Sequence, residues 1–180
     1  IKKTGIALTG ACNRLSDARR ESASQLEKLI GEQLKQLNFS DAAFAIEFKS
    51  TMKDPPEIAN SGAGVGGGFT ANGTDIVEFM ITTNKGESLK PLSKIASGGE
   101  MSRIMLAFKK IIGDYDEIPT MIFDEIDSGI SGIAASVVGR KLREIAENHQ
   151  IICITHLPQI EAFGTSNFRI AKYSDSEMTY

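Results

Sequence analysis

The sequence predicts an α/β fold: a mostly parallel sheet flanked by helices, with a long N-terminal helix and a β-hairpin ahead of it. Three observations carry that expectation. From residue 97 onward, helical periodicity alternates with short continuous apolar runs, the pattern of parallel strands joined through helices. Residues 43–49 and 75–82 instead alternate apolar with polar, the period of half-buried strands. Residues 1–37 carry apolar and small side chains three and four apart, the period of a helix with one covered face.

In the first helix, Ile1, Thr4, Leu8, Ala11, Leu15, Ala18 and Ser22 make a thin seam suited to a coiled-coil arm, or to an ordinary amphipathic helix. Leu26, Leu29, Ile30, Leu34 and Leu37 make a richer stripe suited to docking on a core. The first strand places Phe44, Ile46 and Phe48 on one face, and the second places Val77, Phe79 and Ile81 together. Between them, Asp54-Pro55-Pro56 and the glycine-rich run 61–68 read as a flexible hairpin tip. No Lys-Ser/Thr pair and no helix pattern follow that run, so it is not a phosphate loop. Asn84-Lys85-Gly86-Glu87 turns the chain.

Met101, Ile104, Met105, Phe108, Ile111 and Ile112 mark a helix that Gly113 closes as a C′ residue. Met121-Ile122-Phe123 is a strand expected to be covered on both faces, and Ile151–Ile154 is another. Residues 132–147 form the helix between them, with Ile133, Val137, Leu142 and Ile145 inward. Pro158 opens a short helix, and residues 168–173 form a last strand. The pattern divides into a coiled-coil-proximal helix, 1–37, and a lobe, 38–180.

A 41% hydrophobic and 24% charged composition is that of a folded chain, and a net charge of −3 gives no overall basic footprint for nucleic acid. Cys12 and Cys153 are far apart and lack metal-ligand spacing, which suits a reduced, cytoplasmic setting. No apolar run nears the roughly 18–20 residues that cross a bilayer. The chain opens within a helical pattern without Met and stops soon after a strand, so it reads as a piece of something longer.

Ser97 and Glu100 have capping-box spacing before the 101–112 helix. Gly98 and Gly99 inside that box strip side chains from a helix start, where free N–H groups and the positive dipole end receive anions. Asp124 and Glu125 end an apolar strand at the carboxyl edge of the sheet, where open α/β folds bind ligands. Asp124 suits Mg²⁺, which takes oxygen ligands and keeps waters, and Glu125 suits the orientation or deprotonation of an attacking water. His156 ends the next strand at the same edge, positioned to bond a phosphoryl group. The plain alternatives are a well-capped helix, strand-end acids capping a turn, and a structural histidine. His149 reads as a solvated helix terminus. These pieces compose half of a nucleotide-hydrolysing site, and a glycine-rich loop ending in Gly-Lys-Ser/Thr is absent from all 180 residues.

In order, Ser97–Glu100, the strand ending Phe123-Asp124-Glu125, Ile126-Asp127-Ser128-Gly129 and Thr155-His156 resemble the signature motif, Walker B, D-loop and switch histidine of an ABC-type ATPase head. Ile126-Asp127 in place of Pro-Thr is similar to SMC and Rad50-like chromosome proteins. The run 91–107, with 123–132 and 155–159, resembles a bacterial DNA-repair branch of that family. The resemblance implies the C-terminal lobe of such a head, acting in double-strand break repair and recombination. Ser97, Gly98, Gly99 and Glu100 would bind ATP held mainly by a second head, and Asp124 would serve Mg²⁺. Glu125 and His156 would be catalytic, and Asp127 would lie on the dimer interface. The implied cofactors are ATP and Mg²⁺. The implied partners are a Walker A-bearing N-terminal lobe of the same protein, a second head in a homodimer, and DNA through the full-length protein at the nucleoid, with no membrane. Alone, without Walker A, the chain would be inactive. The alternatives are a non-catalytic nucleotide-sensing module that binds DNA or protein, or a head lobe of another SMC/Rad50-like protein.

Overall fold

The computed structural model describes residues 2–52, 68–115 and 117–171, with the backbone of 174–175 and 178–179. The loop expected from Asp54 to Gly67 lies outside the described residues, as does Tyr173. The chain forms two compact units, residues 1–97 and 98–180.

The first unit opens with α1, Lys2–Gln36. Its second half is docked: Ile30, Leu34 and Leu37 are buried, each contributing roughly 1.5–3 kcal/mol. Leu29, expected in that stripe, is 45% exposed, because it lies one residue off the 30–34–37 face. The first half is open, with Ile6 at 75% exposure. Asn38 closes the helix in a left-handed conformation (φ 70°), and the Phe39 N–H donates to the Leu34 carbonyl at 3.0 Å, a Schellman-type closure that buries both side chains. β1 (Ala43–Ser50) and β2 (Asp75–Thr82) pair antiparallel, with Ile46 opposite Phe79 and Phe48 opposite Val77. Short β3 (Lys90–Pro91) adds to β2 after the expected turn at Asn84–Glu87.

The Phe44–Ile46–Phe48 face turns toward α1, and Phe44 meets Phe79 edge-on, with ring centres 5.7 Å apart. α1 is latched to the hairpin by polar contacts as well. The Ser16 hydroxyl and Arg19 guanidinium both donate to the Asp75 carboxylate, at 2.9 and 3.2 Å, and Glu27 accepts from the Ile46 N–H at 2.6 Å.

The second unit runs α2 (Gly98–Ile112), β4 (Thr120–Phe123), α3 (Gly132–Ile145), β5 (Gln150–Cys153), α4 (Pro158–Glu161) and the pair β6 (Ser174–Asp175) and β7 (Met178–Thr179). β4 and β5 are parallel and in register, Phe123 opposite Cys153, with the crossover through α3. Among the described residues, parallel pairing is confined to these two strands; the other two sheets are antiparallel. Ile104, Leu106, Ala107, Ile126, Ala135 and Val138 form the solvent-free centre of this unit. Gly139 lets the Phe163 ring lie directly on α3, where any side chain would collide with it. No described helix is long and apolar enough to cross a membrane.

Five expectations need correction. β4 is covered on one face only: Met121 and Phe123 are buried, but Ile122 is 67% exposed, as are Ile152 (45%) and Ile154 (52%) on β5's side. Strand period two puts those isoleucines on the opposite face, which no described element covers. In α3, Ile133 is 85% exposed because the inward face runs through Ala135, Val138, Gly139, Leu142 and Ile145. Gly113 is not a left-handed C′ residue; α2 tightens into a 3₁₀ turn, Gly113–Tyr115. His149 is not simply solvated: Nε2 faces the Gly113 carbonyl at 3.2 Å, and Nδ1 faces that of Ile145 at 3.4 Å, pinning the end of α3 to that turn. Residues 168–171 form no strand, with Phe168 and Ile170 over nine-tenths exposed, since no described strand lies beside them to pair.

Candidate functional site

The parallel pairing of β4 and β5 decides the site, because it brings their carboxyl ends to one edge. Asp124 and Glu125 leave β4 there, and Thr155 and His156 leave β5 there, where the Ile154 N–H still bonds the Phe123 carbonyl at 2.9 Å.

Glu125 has φ +55°, a conformation that costs a non-glycine residue about 1–3 kcal/mol and persists where packing imposes it. The turn is closed by the Ser128 N–H donating to the Glu125 carbonyl at 2.9 Å, and Asp124 Oδ1 accepts the Glu125 N–H at 2.8 Å. This bend aims the Glu125 carboxylate at the first turn of α2. A methyl group on Gly98 would lie 2.5 Å from Glu125 Oε2, and one on Gly99 would lie 2.6 Å from Ser128 Cβ and 2.8 Å from the Glu125 carbonyl oxygen. The paired glycines therefore have a cause inside the chain: they let the acidic turn lie directly against the helix start.

α2 grips that turn from successive positions. The Ser102 hydroxyl donates to the Asp124 carbonyl at 2.7 Å. Arg103 Nη1 donates to the carbonyls of Ile126 at 3.2 Å and Ser128 at 2.6 Å. Arg103 is buried; desolvation pulls its pKa down, opposed by the nearby charges of Glu100 and Asp127. Sequence reasoning missed it because an arginine in an amphipathic helix reads as solvent-facing. The available signal was its place on the face of Gly99, Leu106 and Ala107.

Asp127 is 4% exposed, with its carboxylate turned into the chain. Oδ2 accepts from the Thr155 hydroxyl and from the His156 N–H at 2.8 Å, and it lies 3.1 Å from His156 Nδ1. Burial pushes its pKa up, but those bonds and the His156 charge outweigh burial and hold it below the ordinary carboxylate value. Thr155, quoted beside His156 in the sequence without a task of its own, accepts the Leu157 N–H at 3.1 Å and so fixes the turn carrying His156. Cys153, on β5, is pushed up to about 11 by burial and by Asp127 and Asp124, which keeps the thiol protonated.

Asp124 is exposed at this edge. No cluster of three or more His, Cys, Asp or Glu among the described residues could cage a metal. An accessible carboxylate outside any such cluster fits Mg²⁺ carried by a phosphate ligand and waters, not an all-protein site. Ser97, the last residue of the first unit, is exposed and directly precedes α2.

No protein-family model matches the chain. It is 39% identical to the DNA repair protein RecN of Haemophilus influenzae, across 99% of this chain and 29% of that protein. It is 40% identical to RecN of Bacillus subtilis, across 88% of this chain and 27% of that protein. The chain thus spans less than a third of the length of the curated relatives it matches. In structure it is similar to the Smc head domain with a coiled coil and joint from Pyrococcus yayanosii, with a TM-score of 0.52 and 20% identity, over 82% of this chain and 24% of that one. The α/β fold is therefore that of an Smc head domain.

Proposed function

We propose that this chain, related in sequence to RecN over nearly its whole length, is the C-terminal lobe of an SMC-like ATPase head acting in DNA double-strand break repair. It contributes the signature residues Ser97–Glu100, the Walker B acids Asp124 and Glu125, and the switch histidine His156 to a composite ATP site. A Walker A-bearing lobe of the same protein and a second, identical head complete that site. The observation that carries this reading is the meeting of the ends of β4 and β5, with Asp124, Glu125 and His156, at one bonded edge, beside a glycine start of α2 that is offered to the second head.

Each residue then has a task its surroundings suit. Gly98 and Gly99 keep the helix start free of side chains, so its N–H groups and Ser97 receive a γ-phosphate presented by the other head. Asp124 would hold a Mg²⁺ that comes with the nucleotide, and such an ion would supply positive charge against the phosphates. Glu125 positions the attacking water, and the exposed imidazole of His156 contacts the γ-phosphate. The apolar face of Ile122, Ile152 and Ile154 takes the Walker A lobe, since a parallel sheet is ordinarily covered on both faces. The head works in the bacterial cytoplasm, with DNA engaged through the full-length protein.

ATP turnover tests this, measured for the chain alone, for the chain combined with its Walker A-bearing half, and for the same combination carrying Glu125→Gln. Activity confined to the combination and abolished by Glu125→Gln is expected. A folded combination without turnover would leave a nucleotide-sensing, non-catalytic module as the better reading.

A further inference from the structure

The left-handed backbone of Glu125 (φ +55°) is gripped on both sides, and both grips come from α2. On one side the Ser102 hydroxyl donates to the Asp124 carbonyl at 2.7 Å. On the other, Arg103 Nη1 donates to the Ile126 and Ser128 carbonyls at 3.2 and 2.6 Å. The Ser128 N–H then returns to the Glu125 carbonyl at 2.9 Å. Arg103 is 6% exposed, so these charge-assisted bonds are shielded from water, where they hold most strongly. A non-glycine residue relaxes to negative φ when its surroundings stop imposing the strained state. That rotation would swing the Glu125 side chain relative to β4.

The same helix opens with Gly98 and Gly99, and Arg103 lies four residues after Gly99, on one face with it. α2 thus carries two sets of groups with different addresses. Its glycine start is offered to the second head, whereas its Ser102 and Arg103 donors grip the acidic turn of their own head.

We propose that Arg103 is a positioning residue for the Glu125 of its own head. It acts on the ATP site that this Glu125 serves, and not on the site that its own Gly98 and Gly99 serve. This rests on the composite-site reading above. Arg103 needs no contact with nucleotide: its donors go to backbone carbonyls, and its effect reaches the chemistry through the placement of the Glu125 carboxylate.

The test mixes two complete heads, each this chain with its Walker A-bearing half, one carrying Ser97→Arg and the other Glu125→Gln. The one site able to turn over then uses Glu125 of the Ser97→Arg head and the signature of the Glu125→Gln head. Arg103→Met is added to either head in turn. In the head that supplies Glu125, it is expected to lower kcat roughly ten-fold or more with the KM for ATP unchanged. In the head that supplies the signature, it is expected to leave turnover nearly unchanged. A general weakening of the lobe would act from either head, so equal losses overturn the proposal, and so does no loss from either. Arg103→Lys, which keeps a cationic donor, is expected to recover part of the rate. If Arg103→Met does not fold, the same asymmetry is read from Arg103→Lys.

Amide hydrogen exchange gives a readout independent of turnover. With Arg103 substituted, the Ser128 amide is expected to exchange faster, while the Ile154 amide, bonded to the Phe123 carbonyl, keeps its protection. An unchanged Ser128 amide overturns the proposal. If the mixture without any Arg103 substitution gives no turnover, the composite-site reading fails, and the exchange result alone decides whether Arg103 holds the Glu125 turn.

Discussion

Gly99 and Gly98 differ in what a side chain would strike, and that difference predicts two outcomes. At Gly99 a methyl group meets the Glu125 backbone carbonyl and Ser128, so the whole turn must move. Gly99→Ala should destabilise the fold by about 1–3 kcal/mol in a denaturant titration. At Gly98 the obstacle is the far end of the Glu125 side chain, which can swing away. Gly98→Ala should therefore cost less stability while displacing the Glu125 carboxylate. Asp127 predicts a pH dependence. Its carboxyl titrates below the ordinary 3.8 in the folded chain, so on acidification the unfolded chain takes up the proton first. The stability this group supplies is complete above about pH 4 and is lost as the pH falls through the folded value. Asp127→Asn should flatten the stability profile below that point and leave its shape above it unchanged. At this scale the position of Asp124, Glu125 and His156 at one edge was legible, because each follows an apolar run that forms a strand. The left-handed backbone of Glu125 and the burial of Arg103 were not. Both are imposed by packing between segments distant in sequence, which leaves no local pattern.

Among the elements, α2 and the turn after β4 behave as one body. Ser102 and Arg103 bond three carbonyls of that turn, and Gly99 admits it to van der Waals contact. Arg103→Met keeps the length of the side chain but leaves the Ile126 and Ser128 carbonyls without that donor. It should cost roughly 1–3 kcal/mol per unsatisfied group, read as a lowered denaturation midpoint. Element type was mostly readable: α1, β1, β2, α2, β4, α3 and β5 lie within a few residues of their expected places. Errors came where periodicity alone cannot choose a face. Met121-Ile122-Phe123 is continuously apolar, yet only its first and third residues are buried. Ile133 fits a helical stripe by composition, but α3 turns its Ala135–Val138–Leu142 face inward. The alternation at Phe168 and Ile170 is that of a strand, and no described strand lies beside it.

For the whole molecule, we propose that one ATP site draws its signature residues from one head and its Glu125 from the other. α1, docked along its second half and open along its first, is proposed to lead toward a coiled coil, and the Ile122–Ile152–Ile154 face toward the Walker A lobe. The most direct test mixes two complete heads that are each inactive, one carrying Ser97→Arg and the other Glu125→Gln, and measures ATP turnover. In a mixed dimer with sites built across heads, one site inherits both defects and the other inherits neither, so turnover should reappear on mixing. If each head built its site from its own signature and its own Glu125, both sites would stay defective. Mixing would then restore nothing, and the composite-site account would be contradicted.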